Sequence, residues 1–469
     1  MASTTRDLTQ GPVWRALLSV SGPMAFGIGA TIFVGLVDAY FLGRIGTDPL
    51  AAVGFVFPVT MTIASLSIGL SAGANAAISQ AIGRKDDDDA VVRIGLHALI
   101  LGCGLAAAVM VAVWAFDRPL LSLMGASGGV LDAALRYTPI WAASFPFLVA
   151  MMLVNSIFRA HGNGGRSAMV MVASALLNVG ATPAFILGLG PLPEMGIAGA
   201  AAGTLFSYVV ASALAGWLAW RAGILRTCGR PLAGLGRSAR QVGAIGGPAA
   251  ISNAIRPAGM AAVTAAVATL GAAYVAGFGA AGRVQGLASV PLLALSAGIG
   301  PVVGQAWGAG QAERAAAALR QSCLFAVAYG LSLALVLFLF AEPIAALFGA
   351  DGTSTAAAAQ YLRIVGWSLF GFGILIAGNA ALNAIDRAGY ALGLSALRVL
   401  AVYLPLAWLG AAVLGYAGIL IAAVIANVFA ALAVLVAAHA AGLPLIDAAP
   451  VRWLARRLPR SRTGMAPAE

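Results

Sequence analysis

The chain has 469 residues, 61% of them hydrophobic and 9% charged, with a mean hydropathy of +0.95. Apolar runs of about 20 residues recur along its length, each long enough as a helix to cross the ~30 Å hydrocarbon core of a bilayer, which excludes a soluble domain. The net charge of +11 comes from basic residues set between those runs rather than on one amphipathic face, so it reads as a topology signal and not as a nucleic-acid surface.

The first apolar run follows a polar tail, MASTTRDLTQ, shows no A-x-A cleavage pattern and leads directly into further runs, so it reads as a retained helix. Runs bounded by Gly, Pro and charge predict twelve spans near 15–42, 53–79, 93–115, 134–158, 166–189, 196–220, 241–270, 277–304, 317–340, 358–384, 390–412 and 416–440. The expected fold class is an all-α polytopic membrane protein. An even number of spans puts both termini on one side. That side holds 20 of the 27 basic residues, among them Arg84, Lys85, Arg226, Arg230, Arg237, Arg240 and the tail arginines from Arg452 to Arg462, and the positive-inside bias makes it the cytoplasm.

Aligning the sequence with itself shows a repeat. At an offset of 225, Gly22–Pro23 recurs as Gly247–Pro248, Ser71-Ala72-Gly73 as Ser296-Ala297-Gly298, and Gln80 with Gly83 as Gln305 with Gly308. At 224, Gly125–Ala126 matches Gly349–Ala350, Tyr137 matches Tyr361 and Asn155 matches Asn379; at 219, Gly196 and Gly199 match Gly415 and Gly418. The expected organisation is an N-terminal six-helix half (1–220), a basic cytoplasmic linker (221–240), a C-terminal six-helix half (241–440) and a cytoplasmic tail (441–469). Both copies have the same orientation, and the simplest substrate path is a cavity between them.

Of the 16 acidic residues, Asp38 is the one set inside a span, and an intramembrane carboxylate costs several kcal/mol unless function retains it. Burial disfavours the charged form, which suits a group that loads and unloads a proton; a structural Asp capped by hydroxyls or paired with Arg44 near the outer end is the alternative. Asn155, Asn178, Thr182 and Thr204, on spans four to six, are candidate polar neighbours or cavity residues, with inter-helix hydrogen bonding as their plain role. Pro23 and Pro183 lie within spans and can bend them. Adding 225 to Asp38 reaches Val263, and adding it to Thr31 reaches Arg256, so the acid belongs to the first half alone. Arg256, Arg283 and Arg398 stand in or near second-half spans, and Arg256 is deep enough to line a cavity. Asp86 to Asp89 reads as a solvated loop. Gly69 to Gly73 spells G-x-S-x-G within an apolar helix, where it reads as helix packing. Cys103, Cys228 and Cys323 are scattered, and His97, His161 and His439 form no H-E-x-x-H, so no metal, cofactor or catalytic set is expected.

The series VDAYFLGRIG, SAGANAAISQAIGRKD, NVGATP with GIAGAAAGT, and VGQAWGAGQAERA resembles the multidrug and toxic compound extrusion (MATE) transporters over residues 12 to 440, closest to the DNA-damage-inducible F branch. The resemblance implies two six-helix bundles forming a V around a central cavity, acting as a monomer in the cytoplasmic membrane. It also implies export of small organic, often cationic compounds in exchange for H⁺ or Na⁺, with Asp38 as the first-helix ion-site acid and Asn155, Asn178 and Thr204 as its neighbours. Many members of that family carry an Asp where this chain has Thr182, and some carry a Glu in the seventh span, where it has Arg256, and an Asp in the tenth, which here has none. One carboxylate accommodates a proton more readily than Na⁺, which favours several oxygen ligands. A flippase for lipid-linked oligosaccharides or another anionic lipid is the alternative, suited by Arg256 and Arg398; an intramembrane enzyme lacks paired acids and any nucleophile with a base.

Overall fold

The structure is a computed structural model that describes residues 5–190, 193–226, 228, 230–347 and 352–445. Gly349, Ala350 and the tail arginines lie outside the described residues. The first six predicted spans appear as α1 (Val13–Ile45), α2 (Thr47–Gly83), α3 (Asp88–Leu123), α4 (Gly128–Ala142) with α5 (Phe145–Ala160), α6 (Gly164–Leu187) and α7 (Ile197–Arg221). The other six appear as α8 (Leu235–Ala268), α9 (Ala272–Ala288) with α10 (Val290–Gly308), α11 (Ala312–Leu339) followed by the short α12 (Ala341–Ala346), α13 (Gly352–Val365) with α14 (Leu369–Ala384), α15 (Ala388–Ala396) with α16 (Leu404–Leu414), and α17 (Tyr416–Ala440). A π-helical stretch, Leu397–Tyr403, joins α15 to α16.

Among the described residues, ten helices are long and apolar enough to cross a membrane, or eleven when α4 and α5, bent by 44°, count as one span. The exception is α8, whose glycines, serines and three arginines dilute its apolar content. It also starts six residues before the predicted 241, because Arg237 and Arg240 extend a helix beyond its apolar part. Likewise α3 runs on past the predicted 115 to Leu123, with a kink at Phe116 (φ −126°, ψ 19°) three residues before Pro119.

The chain folds into two compact units. The first comprises Met1–Arg6, Pro23–Ile78 and Asp86–Gly246; the second comprises Asp7–Gly22, Ser79–Lys85 and Gly247–Glu469. Two changeovers fall at the repeated Gly-Pro pair: after Gly22 and before Gly247. The first unit has a core that includes Ile63, Ala106, Phe145, Leu153 and Ile186. The second has two, one around Val20, Ile299 and Leu319 and the other around Val263, Phe278 and Ile419.

The repeat holds at the level of single contacts. Ser144, at the break between α4 and α5, donates to the Trp141 carbonyl at 2.6 Å, and its counterpart Ser368, between α13 and α14, donates to Val365 at 2.8 Å. Gly196 (φ 53°, ψ −127°) and Gly415 (φ 60°, ψ −138°) open α7 and α17 in the same left-handed conformation, which only glycine adopts without strain. A β-carbon on Gly199 would collide with the Phe185 carbonyl, and one on Gly418 with Gly410, 225 residues after Phe185. Within the second unit the relation is reciprocal: Gly83 abuts the Gln305 carbonyl and Gly308 the Gln80 carbonyl. Small residues at such crossings let membrane helices approach closely enough for dispersion to hold them.

Candidate functional site

Asp38 lies on α1, fifteen residues after Pro23, half-buried in the first unit. Its Oδ1 is shut off from solvent and has no hydrogen-bond partner. The neighbouring side chain is Thr182 of α6, within hydrogen-bonding reach of the carboxyl. Arg44 does not pair with it; that guanidinium lies 5.1 Å from the ring centre of Tyr40.

Helix packing places Thr182. Gly199 and Gly203 form a small-x-x-x-small face on α7, and a β-carbon on Gly203 would stand 2.6 Å from Thr182 Cα and 2.9 Å from its hydroxyl. Thr182 is thereby fully buried, one residue before Pro183, whose ring cannot donate to the helix. Its hydroxyl donates to Asn178 Oδ1 at 3.2 Å, Asn178 Nδ2 donates to Thr204 Oγ1 at 3.5 Å, and Thr204 donates to the Ala200 carbonyl at 3.1 Å. Three of the expected neighbours therefore form one directed chain that ends beside the acid. The Thr182 hydroxyl has a single proton, so it serves either Asn178 or a charged Asp38. A protonated Asp38 would instead donate to Thr182 and leave that proton on Asn178.

Asn155 does not join this chain. It is buried on α5 with its Oδ1 unpartnered, and its repeat counterpart Asn379 shows the same orphaned oxygen, so the feature belongs to the repeat rather than to the acid. Two phenols not expected from the sequence, Tyr137 of α4 and Tyr208 of α7, lie within electrostatic range of Asp38. Tyr208 stands one helical turn beyond Thr204, a spacing that puts both on one face and could have marked it. Tyr137 carries no such signal; it is buried and stacked on Trp141 at 6.1 Å.

The second half has no acid at the equivalent place. Val263, Tyr403, Ala407 and Ala423 stand where repeat offsets put Asp38, Asn178, Thr182 and Thr204, and all four belong to a packed core. Arg256, on α8 in the second unit, is exposed, with its guanidinium 5.1 Å from the ring centre of Phe372. Arg398 is half-buried and donates through Nε to Asn427 Oδ1 at 2.9 Å; Arg283 is exposed on α9. Among the described residues no three His, Cys, Asp or Glu side chains are grouped as a metal site.

A polytopic helical chain built from two homologous halves, with one buried carboxylate on its first helix, defines a membrane transporter. The MatE family model matches residues 23–183 and again 248–409, starting at the two repeated prolines, and the chain belongs to that family. It is 34% identical over 428 residues to the FAD transporter of Shewanella oneidensis, covering 91% of this chain and 94% of that one. It is 26% identical over 204 residues to the multidrug export protein MepA of Staphylococcus aureus, 43% of this chain and 44% of that one. The Vibrio cholerae MATE transporter VcmN in its bent form superposes with a TM-score of 0.86 at 30% identity, covering 91% of this chain and 96% of VcmN. The protein is thus an integral membrane transporter of the compound-exporting kind.

Proposed function

We propose that the protein is a proton-coupled antiporter that exports small organic compounds across the cytoplasmic membrane, with both termini in the cytoplasm and Asp38 as the proton carrier. The observation that carries this reading is the orphaned Asp38 Oδ1 beside a neutral chain of Thr182, Asn178 and Thr204. A proton needs one acceptor, whereas a sodium shell would need several oxygens beyond the two of a single carboxylate. Protonation converts a costly intramembrane charge into a neutral acid. The change would free α1 to repack or bend near Pro23 and close the first-half cavity against substrate. A drug exporter among the relatives supports the substrate class.

A flippase for an anionic lipid is the second reading, favoured by Arg256 and Arg398 on the other half. Everted membrane vesicles test the first: ethidium transport should follow an imposed pH gradient and persist in sodium-free buffer. Strict dependence on sodium at constant pH would sink it.

A further inference from the structure

We propose that the second unit holds a binding site for the phosphate group of an organic anion, formed by Arg256 and Arg398. The inference rests on the export reading and names a substrate class for it. Gly259, one turn after Arg256 on α8, lies so close to Val399 that a β-carbon there would collide with its side chain. That crossing brings the helix face of Arg256 against the segment holding Arg398, and the two guanidiniums interact electrostatically. One turn earlier the helices are tied by Ser252 Oγ donating to Ser395 Oγ at 2.6 Å, and Ser395 also accepts from Asn379 Nδ2 at 3.0 Å.

Both guanidiniums are oriented without being used up. Buried Asn427 takes only Nε of Arg398, and its own Nδ2 donates to Ser368 Oγ at 2.8 Å, which fixes the amide and so the Arg398 plane. The Arg256 guanidinium lies 5.1 Å from the ring centre of Phe372, a cation–π contact that uses none of its N–H donors. The remaining N–H groups of two forks match a phosphate, which accepts paired hydrogen bonds from arginine. Arg398 also sits in the π-helical stretch Leu397–Tyr403, and such insertions cluster at functional sites.

Two like charges in spans cost several kcal/mol unless something compensates them. Among the described residues, no carboxylate pairs with either. In the second unit Glu342 is taken by Arg363 at 2.8 Å, and Asp7, Glu313 and Asp386 lie at helix ends or in loops. The first half has Thr31, Ala173 and Tyr208 where repeat offsets place Arg256, Arg398 and Asn427, so the cationic pair is as specific to the second half as the acid is to the first.

The test measures binding of FAD, the compound for which the Shewanella relative is named, and of riboflavin, which has the same ring but no phosphate. Full-length protein is held in nanodiscs of zwitterionic lipid, with no pH gradient. The expected result is at least tenfold tighter binding of FAD than of riboflavin, with the preference lost in Arg256→Gln and in Arg398→Gln and partly kept in Arg256→Lys. Thermal unfolding of each variant confirms that it is folded. Equal binding of FAD and riboflavin by the wild type, or an undiminished preference in folded glutamine variants, would overturn the site. Anionic lipid discs then separate the sources. Loss of FAD binding there identifies a lipid headgroup as the occupant, and retention identifies a soluble phosphate ester. Proton coupling is read by pH-driven ethidium transport and this site by FAD binding without a gradient, so a failure of proton coupling and a failure of this site are read in different measurements.

Discussion

Thr182 and Asn178 stand one turn apart on α6, with the threonine hydroxyl donating to the amide oxygen at 3.2 Å and the same hydroxyl within reach of Asp38. One buried hydroxyl proton thus serves either the neutral chain or Asp38. Thr182→Val keeps the shape and removes the donor. The expected loss, on the order of 1 kcal/mol for one hydrogen bond, is a several-fold fall in the initial rate of pH-driven ethidium efflux at unchanged protein yield. An unchanged rate would show that the hydroxyl takes no part.

The close crossing of α6 and α7 gives a stability prediction. At Gly203 a new β-carbon meets the Thr182 backbone at 2.6 Å, a rigid neighbour, whereas nothing lies within 4 Å of the position at Gly216 on the same helix. Gly203→Val should therefore lower the thermal unfolding temperature clearly, by an overpacking cost of about 1–3 kcal/mol. Gly216→Ala should leave it unchanged or raise it slightly, and thermal shift in detergent reads both.

The helices are legible in the sequence because each apolar run must bury or lipidate about 20 residues and satisfy its own backbone, which leaves few alternatives. The breaks inside the fourth and tenth spans are less legible. Ser144 and Ser368 are compatible with continuous helix, and only their back-bonds to Trp141 and Val365 show that the chain turns there. The site divides in the same way. A carboxylate within an apolar run is visible by its cost, whereas Thr182 is singled out only by the family resemblance, as the place where many relatives carry an acid. The neighbourhood of Tyr137 and Asp38 depends on how α4 packs, which no local pattern encodes. Arg256 and Arg398 stand out singly as charges in spans, but the close crossing of their two segments depends on Gly259 admitting Val399.

His161, between α5 and α6, should set part of the pH dependence of stability. It is buried, its Nδ1 donates to the Ile157 carbonyl at 2.9 Å, and its own carbonyl accepts from Arg6 N at 2.9 Å. Burial holds the imidazole below its usual range, outweighing that hydrogen bond and the charge of Asp88. The unfolded chain then binds a proton that the folded chain refuses. Stability is fully present above the ordinary histidine value of about 6.5 and falls as pH drops below it. His161→Asn should flatten the decline in unfolding temperature below about pH 6.5. An equally steep decline in the variant would assign it to other groups.

The linker supplies a topology test. Arg226 of this segment bridges Asp89 at the start of α3 at 2.8 Å, with both side chains about half exposed, and exposed Arg230 follows it. If the basic side is cytoplasmic, a cysteine at Arg230 in whole cells should resist an impermeant thiol reagent added outside and react once the membrane is opened. Reaction from outside would invert the orientation and, with it, the direction of transport.

The sharpest test of division of labour compares Asp38 with Val263, its repeat counterpart. Asp38 has an unpartnered oxygen and polar neighbours, so Asp38→Asn keeps the shape and removes an intramembrane charge; the folded protein should be at least as stable, while pH-driven export should be abolished. Val263 is fully buried in an apolar core with Phe278 and Ile419. Val263→Asn inserts an amide there with no partner, at a cost of about 1–3 kcal/mol. Its unfolding temperature and yield should fall, and the molecules that remain folded should still couple transport to the pH gradient. Equal loss of coupling in both variants, with folding intact in both, would show that the acid's position in the first half does not define the ion site.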